Sequence, residues 1–469
     1  MNRHETRRVP RNLGSVVPVT DKAIVVNSSR RGATSLQPTK VMATNQAMAT
    51  QRQVMRQELV TRLGAFVGAW KWHGGVVGLD GRVYCVPCSG NAVLVVDPVL
   101  GTAETFGNVG GTQAYKWNRA AVASDGTIFA MPSHHPAVLV IDPKHRTVEL
   151  MGHHQGSGSK WNHAVASIDG KVYGLPFDAS TLLVVDPATR TSREVGDFGK
   201  GKYKWRVGLL APDDGRIFGI PYNAANVLVI DAAGGTTLLP LPPSIADQPA
   251  KWNGCVLGAD GALYGIPCDA SAVLRIDPRT DAVELFGDVG RGRSKWRNGV
   301  LDPRTGRIFG VPFDASAVLV IEPVGRQVQV IGALGSQRGK WADGALGGDG
   351  RVYACPHTST SVLVIDPSTL TCDLVHDIAD DLPPSSDSKM CGKYVECLPC
   401  GGAVVGVPVH ASSAMLLTPR SPSATMVGSA SATEGAACAE QVGPTRHARQ
   451  DVPPPALATS VHVRQSRRG

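Results

Sequence analysis

The chain has 469 residues with a net charge of +8, 42% hydrophobic and 18% charged residues, and 53 glycines and 33 prolines. No apolar run approaches the roughly 20 residues needed to span a bilayer, so a membrane-spanning helix is excluded. The glycines and prolines mark many turns.

The positive charge is concentrated at the ends. Residues 1–56 carry ten Lys and Arg against Glu5 and Asp21, and residues 420–469 carry six Arg against three acids, which leaves the body between them at −3. Segments so poor in apolar surface cannot offset the entropy of ordering, so residues 1–56 are expected to be a disordered basic tail and residues 420–469 a disordered tail. A basic patch on a folded surface, the usual footprint of nucleic-acid binding, is not expected. The first 20 residues, MNRHETRRVPRNLGSVVPVT, sustain no secretory apolar stretch. Ten cysteines then read as unpaired thiols of a reducing, cytoplasmic compartment. Cys85/Cys88 and Cys397/Cys400 have metal-ligand spacing. Positions three apart on a strand face opposite sides, however, which favours small buried hydrophobes over zinc ligands.

Between the tails, residues 57–419 repeat one unit. Its opening lysine recurs at Lys71, Lys116, Lys160, Lys204, Lys251, Lys295, Lys340 and, in a degenerate copy, Lys393, with spacings of 45, 44, 44, 47, 44, 45 and 53. Each unit reads as four strands. A Lys-Trp pair leads into a first strand such as NGCVLG, and an Asp-Gly hairpin turn follows at Asp80, Asp125, Asp169, Asp214, Asp260 and Asp349. The second strand ends on a proline such as Pro176 or Pro267, which lacks the N–H of a continuing ladder. The third, AVLVIDP-like, is continuously apolar, as in a sheet covered on both faces, and the fourth is more polar. Glycines such as Gly174, Gly219, Gly265 and Gly310 are expected where adjacent units approach closely.

Four strands at a period of 40 to 50 residues predict an all-β fold, a β-propeller of eight four-stranded blades. Seven blades is the alternative if the degenerate last copy packs outside the ring. That copy supplies only three strands. The segment from Glu58 aligns with the one from Glu284 and is expected to complete the last blade, removing the open edges.

The VLVIDP stretch resembles the VxVID element of YVTN and NHL-like propeller repeats, and the Lys-Trp and YGIP segments are similar to those of a group of uncharacterised propeller proteins. The chain lacks the Gly-Gly doublet with paired aromatics of Kelch repeats and the terminal Trp-Asp of WD40 repeats. The resemblance implies a ligand or partner surface on one flat face around the axial channel. Connectivity brings the lysines, the tryptophans and loop residues such as His134, His135, Asp178, Asp269, Asp314 and His357 to that face. The lysines read either as structural, each indole burying against the next blade and each ammonium meeting a loop aspartate, or as a ring attracting an anion. Copies differ just after the Lys-Trp, where Asn118, Asn162, His163, Arg206, Asn253, Arg297, Asn298, Asp343 and Glu396 are expected to rim the channel, together with His73 and Arg119.

Two functions follow. The first is a non-catalytic binding or scaffold module, monomeric and without a cofactor, that recognises a protein or an anionic ligand. The second is a hydrolase resembling the lactonase-type propellers, with the carboxylate, Asn and His side chains holding a divalent cation. Only two of those donors are carboxylates, and the lysines oppose a cation.

Overall fold

The computed structural model describes residues 59–111, 113–377 and 392–419; the expected tails lie outside these. The described residues form 32 strands, numbered β1 to β32 in chain order and grouped in eight four-stranded antiparallel sheets. Seven sheets are simple meanders of consecutive strands. The eighth has the order β1-β32-β31-β30, in which β1 (Val60–Leu63) pairs with β32 (Ala414–Leu417) from Val60 opposite Leu417 to Leu63 opposite Ala414. Each innermost strand contacts the next, and β30 (Tyr394–Cys400) contacts β2 (Trp72–Val77), so the sheets close into a ring of eight blades.

The hairpin chemistry acts as the sequence implies. Gly81, Gly126, Gly170, Gly215, Gly261 and Gly350 all adopt positive φ, between 71° and 87°. The turn aspartate also accepts a hydrogen bond from a second-strand tyrosine, Tyr84 to Asp80 at 2.7 Å and Tyr264 to Asp260 at 2.8 Å. Second and third strands are buried throughout, whereas fourth strands such as β13 (Thr191–Val195) are half-buried to exposed.

Eight apolar clusters hold the ring together, one at each interface between blades. Blade 1 meets blade 2 through Tyr84, Val86, Trp117 and Leu139, and blade 8 meets blade 1 through Val405, Val407, Trp72 and Leu94. Each tryptophan therefore packs against the preceding blade, not the next one. Its indole N–H donates to a carbonyl at the start of its own third strand, as from Trp117 to Ala137 O at 2.8 Å and Trp252 to Ala272 O at 3.0 Å, so the buried indole keeps its donor satisfied. The second-strand glycines also differ in part from expectation. A Cβ on Gly265 would lie 3.0 Å from Leu274 Cβ and 3.1 Å from Trp252 of the same blade. At Gly174, where Met131 Sδ would be 2.7 Å away, and at Gly406, where Cys355 Sγ would be 2.8 Å away, the neighbouring blade is the nearest obstacle.

Candidate ligand site at the axis

The lysines sit in a backbone relay that runs around one end of the ring. Each lysine N–H donates to the residue after the second-strand proline of the preceding blade, as from Lys251 to Tyr222 O at 2.9 Å and Lys71 to Val409 O at 3.0 Å. Each lysine carbonyl accepts from the same residue of its own blade, as from Cys268 N to Lys251 O at 2.9 Å. The side chains serve the same joints. All eight lysines are buried. Lys160 Nζ donates to Ser133 O at 2.8 Å and His135 O at 2.9 Å, and Lys251 Nζ donates to Gln248 O at 2.7 Å and Ala246 O at 3.1 Å. Lys71, Lys116, Lys204, Lys295 and Lys340 likewise donate to backbone carbonyls. Burial pulls the ammonium pKa values of Lys71, Lys160 and Lys251 down to about 8.

The structural reading of the ring expected the loop aspartates to pair with these lysines, and they do not. Asp178, Asp269 and Asp314 instead accept backbone N–H bonds from Tyr203, Ser294 and Gly339, at 3.0, 2.7 and 2.8 Å. Those donors each precede a lysine and adopt positive φ, as do Trp70, Tyr115 and Ala250 at the same position. The aspartate therefore holds a left-handed residue at the entrance to the next blade.

The residues after each tryptophan do turn inward, and a recurrent irregularity aims them. The pairing of first and second strands shifts just past the tryptophan, as between Trp161 and His163, Trp205 and Val207, and Trp252 and Gly254. Such a bulge re-aims side chains, and repeated around the ring it delivers polar residues to the axis. They link blade to blade. Asn118 Nδ2 donates to Asn162 Oδ1 at 2.8 Å, Asn162 Nδ2 to Arg206 O at 3.2 Å and Arg206 Nε to Asn253 Oδ1 at 2.9 Å. Asn298 Nδ2 donates to Asp343 Oδ1 at 2.5 Å, and Cys397 N donates to Asp343 Oδ2 at 3.2 Å. Glu396 accepts from Gly75 N at 2.7 Å and pairs with Arg119 at 2.6 Å.

Within this girdle lies a cavity of about 60 Å³ lined by His73, Arg119, Asn162, Arg206, Asn253, Arg297, Asn298 and Asp343, with Val207, Gly254, Ala342 and Val395. Asn118, His163, Glu396 and the lysines stand outside its lining. His134 and His357 belong to the surrounding loops, where His134 Nδ1 lies 3.2 Å from Tyr115 O and His357 Nδ1 lies 3.1 Å from Gly339 O.

Electrostatically the cavity is cationic. Arg119 is neutralised by Glu396, but no carboxylate pairs with Arg206 or Arg297 among the described residues. Their guanidinium groups lie instead on aromatic rings. Arg206 sits 5.8 Å from Phe177 and 5.5 Å from Tyr222, and Arg297 sits 3.7 Å from Phe313. Burial and the charge of Arg206 lower the Arg297 pKa to about 10. The histidines add no charge, since burial and nearby arginines hold His73, His163 and His357 down at about 3. Asp343 is pushed up to about 7 by burial and by Glu396.

The cysteines are in packed positions. Cys397 lies against Cys355 N at 3.2 Å, whereas Cys400 contacts Gly81 O at 3.0 Å. Among the described residues no group of three or more His, Cys, Asp or Glu side chains is placed to hold a metal ion, and no helix is long and apolar enough to cross a membrane.

No protein-family model matches the sequence, and no curated protein is similar to it. Solved structures are similar in fold. Virginiamycin B lyase from Staphylococcus aureus aligns at 12% identity over 77% of this chain and 99% of its own, with a TM-score of 0.52. A streptogramin B lyase structure aligns at 17% identity over 63% of this chain and 94% of its own, with a TM-score of 0.50. At these identities the likeness is one of fold: the chain is an eight-bladed β-propeller.

Proposed function

We propose that this propeller is a non-catalytic binding module whose axial cavity holds an anionic group, presented by a small ligand or by a protein partner. The observation that carries the reading is the pair Arg206 and Arg297, two guanidinium groups at one small cavity with which no carboxylate forms an ion pair among the described residues. Unneutralised charge in a low-dielectric recess is costly to the fold and focuses field on the opening, and an incoming anion relieves both. The lysines do not supply this field to a ligand, because their ammonium groups are committed to backbone carbonyls.

Calorimetric titration of inorganic phosphate, sulfate and acetate into the full chain tests the reading, at two salt concentrations. Binding that weakens with salt and is lost in Arg206→Met/Arg297→Met supports it. Absence of anion binding in the unaltered protein overturns it.

The metal-dependent hydrolase, resembling lactonase-type propellers, draws on a different observation: Asp343 lines the cavity with a raised pKa beside Glu396. Yet both carboxylates are already occupied, Asp343 by Asn298, Gly344 and Cys397 and Glu396 by Gly75 and Arg119. Stoichiometric calcium or transition metal in untagged protein, with lactone hydrolysis abolished by Asp343→Asn, would establish that function in place of the first.

A further inference from the structure

Three of the left-handed positions before the lysines carry large, exposed aromatic rings. Trp70, Tyr115 and Tyr203 adopt φ of 53°, 57° and 57° and are 38%, 38% and 46% exposed. The same position is met by Ala250, Ser294 and Gly339 in other blades. A bulky residue at positive φ is an unfavourable choice, and these rings leave more than a third of their surface to solvent.

Trp70 and Tyr115 stand together as a tilted pair in contact, with centroids 5.3 Å apart and planes at 58°, and their solvent-exposed faces make a shallow notch. His410 meets Trp70 edge-on at 4.9 Å, and His134 lies 5.6 Å beyond Tyr115. Trp70 also stacks near His73 at 6.3 Å and 22°. His73 lines the cavity, and its buried Nδ1 has no hydrogen-bond partner among the described residues. The notch therefore adjoins the cationic cavity. The rings of Phe177, Tyr222 and Phe313, by contrast, already carry guanidinium groups.

The cavity of about 60 Å³ has room for roughly four waters, enough for a carboxylate or phosphate head but not for a ring behind it. The remainder of a ligand must lie at the mouth. We infer that the ligand is a small aryl anion, its head at Arg206 and Arg297 and its flat ring in the Trp70–Tyr115 notch. This rests on the anion-binding reading above and adds the ring to it. A sugar acid fits less well, because polar groups beside the notch are engaged: Gln113 donates to His134 O at 2.9 Å, Ser89 Oγ accepts from Tyr115 N at 3.4 Å, and His410 Nδ1 bonds Gly392 O at 2.8 Å.

Titrating phenyl phosphate, inorganic phosphate and glucuronate into the full chain and into Trp70→Asn/Tyr115→Asn tests this. Asparagine tolerates the left-handed region, so the loops keep their conformation, which the melting temperature checks. Phenyl phosphate is expected to bind at least tenfold more tightly than inorganic phosphate. The double variant should lose that advantage and retain its affinity for inorganic phosphate. The aryl assignment is overturned, with the anion site intact, if phosphate binds and the phenyl group adds nothing, if its advantage survives in the double variant, or if glucuronate binds best. Failure of all three probes to bind the unaltered chain overturns both readings.

Discussion

Two sets of cations stand near the same end of this ring and do opposite things. The eight lysines recur in every blade and are buried, and seven of them, Lys71 to Lys340, spend their charge on backbone carbonyls at the joints between blades. Arg206 and Arg297 share one repeat position, directly after the tryptophan, which six of the eight copies fill with other residues, and no carboxylate pairs with them among the described residues. A repeated cation must satisfy eight equivalent joints and so becomes part of the wall. One that most copies lack is free of that duty. Regularity in a closed repeat array therefore marks the scaffold, and departures from it mark the candidate site.

The largest effect that would sharpen this contrast is on the scaffold side. Trp252 is fully buried between blades 4 and 5 with its N–H on Ala272 O, so Trp252→Ala is expected to cost about 3–5 kcal/mol in chemical denaturation. Lys251→Met comes next. It leaves Ala246 and Gln248 carbonyls without their donor, at a cost of about 1–3 kcal/mol, while anion affinity measured by calorimetry stays unchanged. A Lys251→Met protein of full stability that had lost its anion affinity would break the distinction between the two sets.

The blades were legible in the sequence because their devices are local: Asp-Gly turns, strand-ending prolines and continuous apolar third strands each need only neighbours in the chain. The channel-facing positions were legible too, since Asn162, Arg206, Asn253, Arg297, Asn298 and Asp343 stand where the copies differ. Other features depend on where distant backbone atoms come to lie. The acceptors of the lysine ammonium groups are carbonyls of turns, which leave no side-chain signature. The bulge after each tryptophan, which sends those polar residues inward, has none either. The aromatic notch had a signal that went unread. The residue before each lysine runs Trp70, Tyr115, Ser159, Tyr203, Ala250, Ser294, Gly339 and Gly392, as variable as the residues after it, but the left-handed backbone that all of these except Ser159 and Gly392 adopt is visible only in the folded ring.

On the site side, Arg297→Met should weaken phosphate binding about tenfold, or about 1.4 kcal/mol. It should not destabilise the fold, since the side chain removed is one that repels Arg206. A loss of stability matching that of Lys251→Met would place Arg297 among the structural cations and dissolve the comparison. Titrating the buried histidines tests the same comparison without a substitution. His73, His163 and His357 are held at about 3 in the folded chain against an ordinary 6.5, so below pH 6.5 the unfolded chain binds protons that the folded one refuses. Their contribution to stability is full above pH 6.5 and declines as the pH falls from there toward 3. Asp343 works in the opposite sense, because it keeps its proton up to about pH 7 in the folded chain and favours folding as the pH falls below that. Three histidines outweigh one aspartate, so the urea midpoint should fall between pH 6.5 and 4.5. His163→Gln should flatten that slope and Asp343→Asn should steepen it. A midpoint that rises on acidification would mean that the histidines are charged in the fold, and the cavity would then hold more positive charge than its arginines supply.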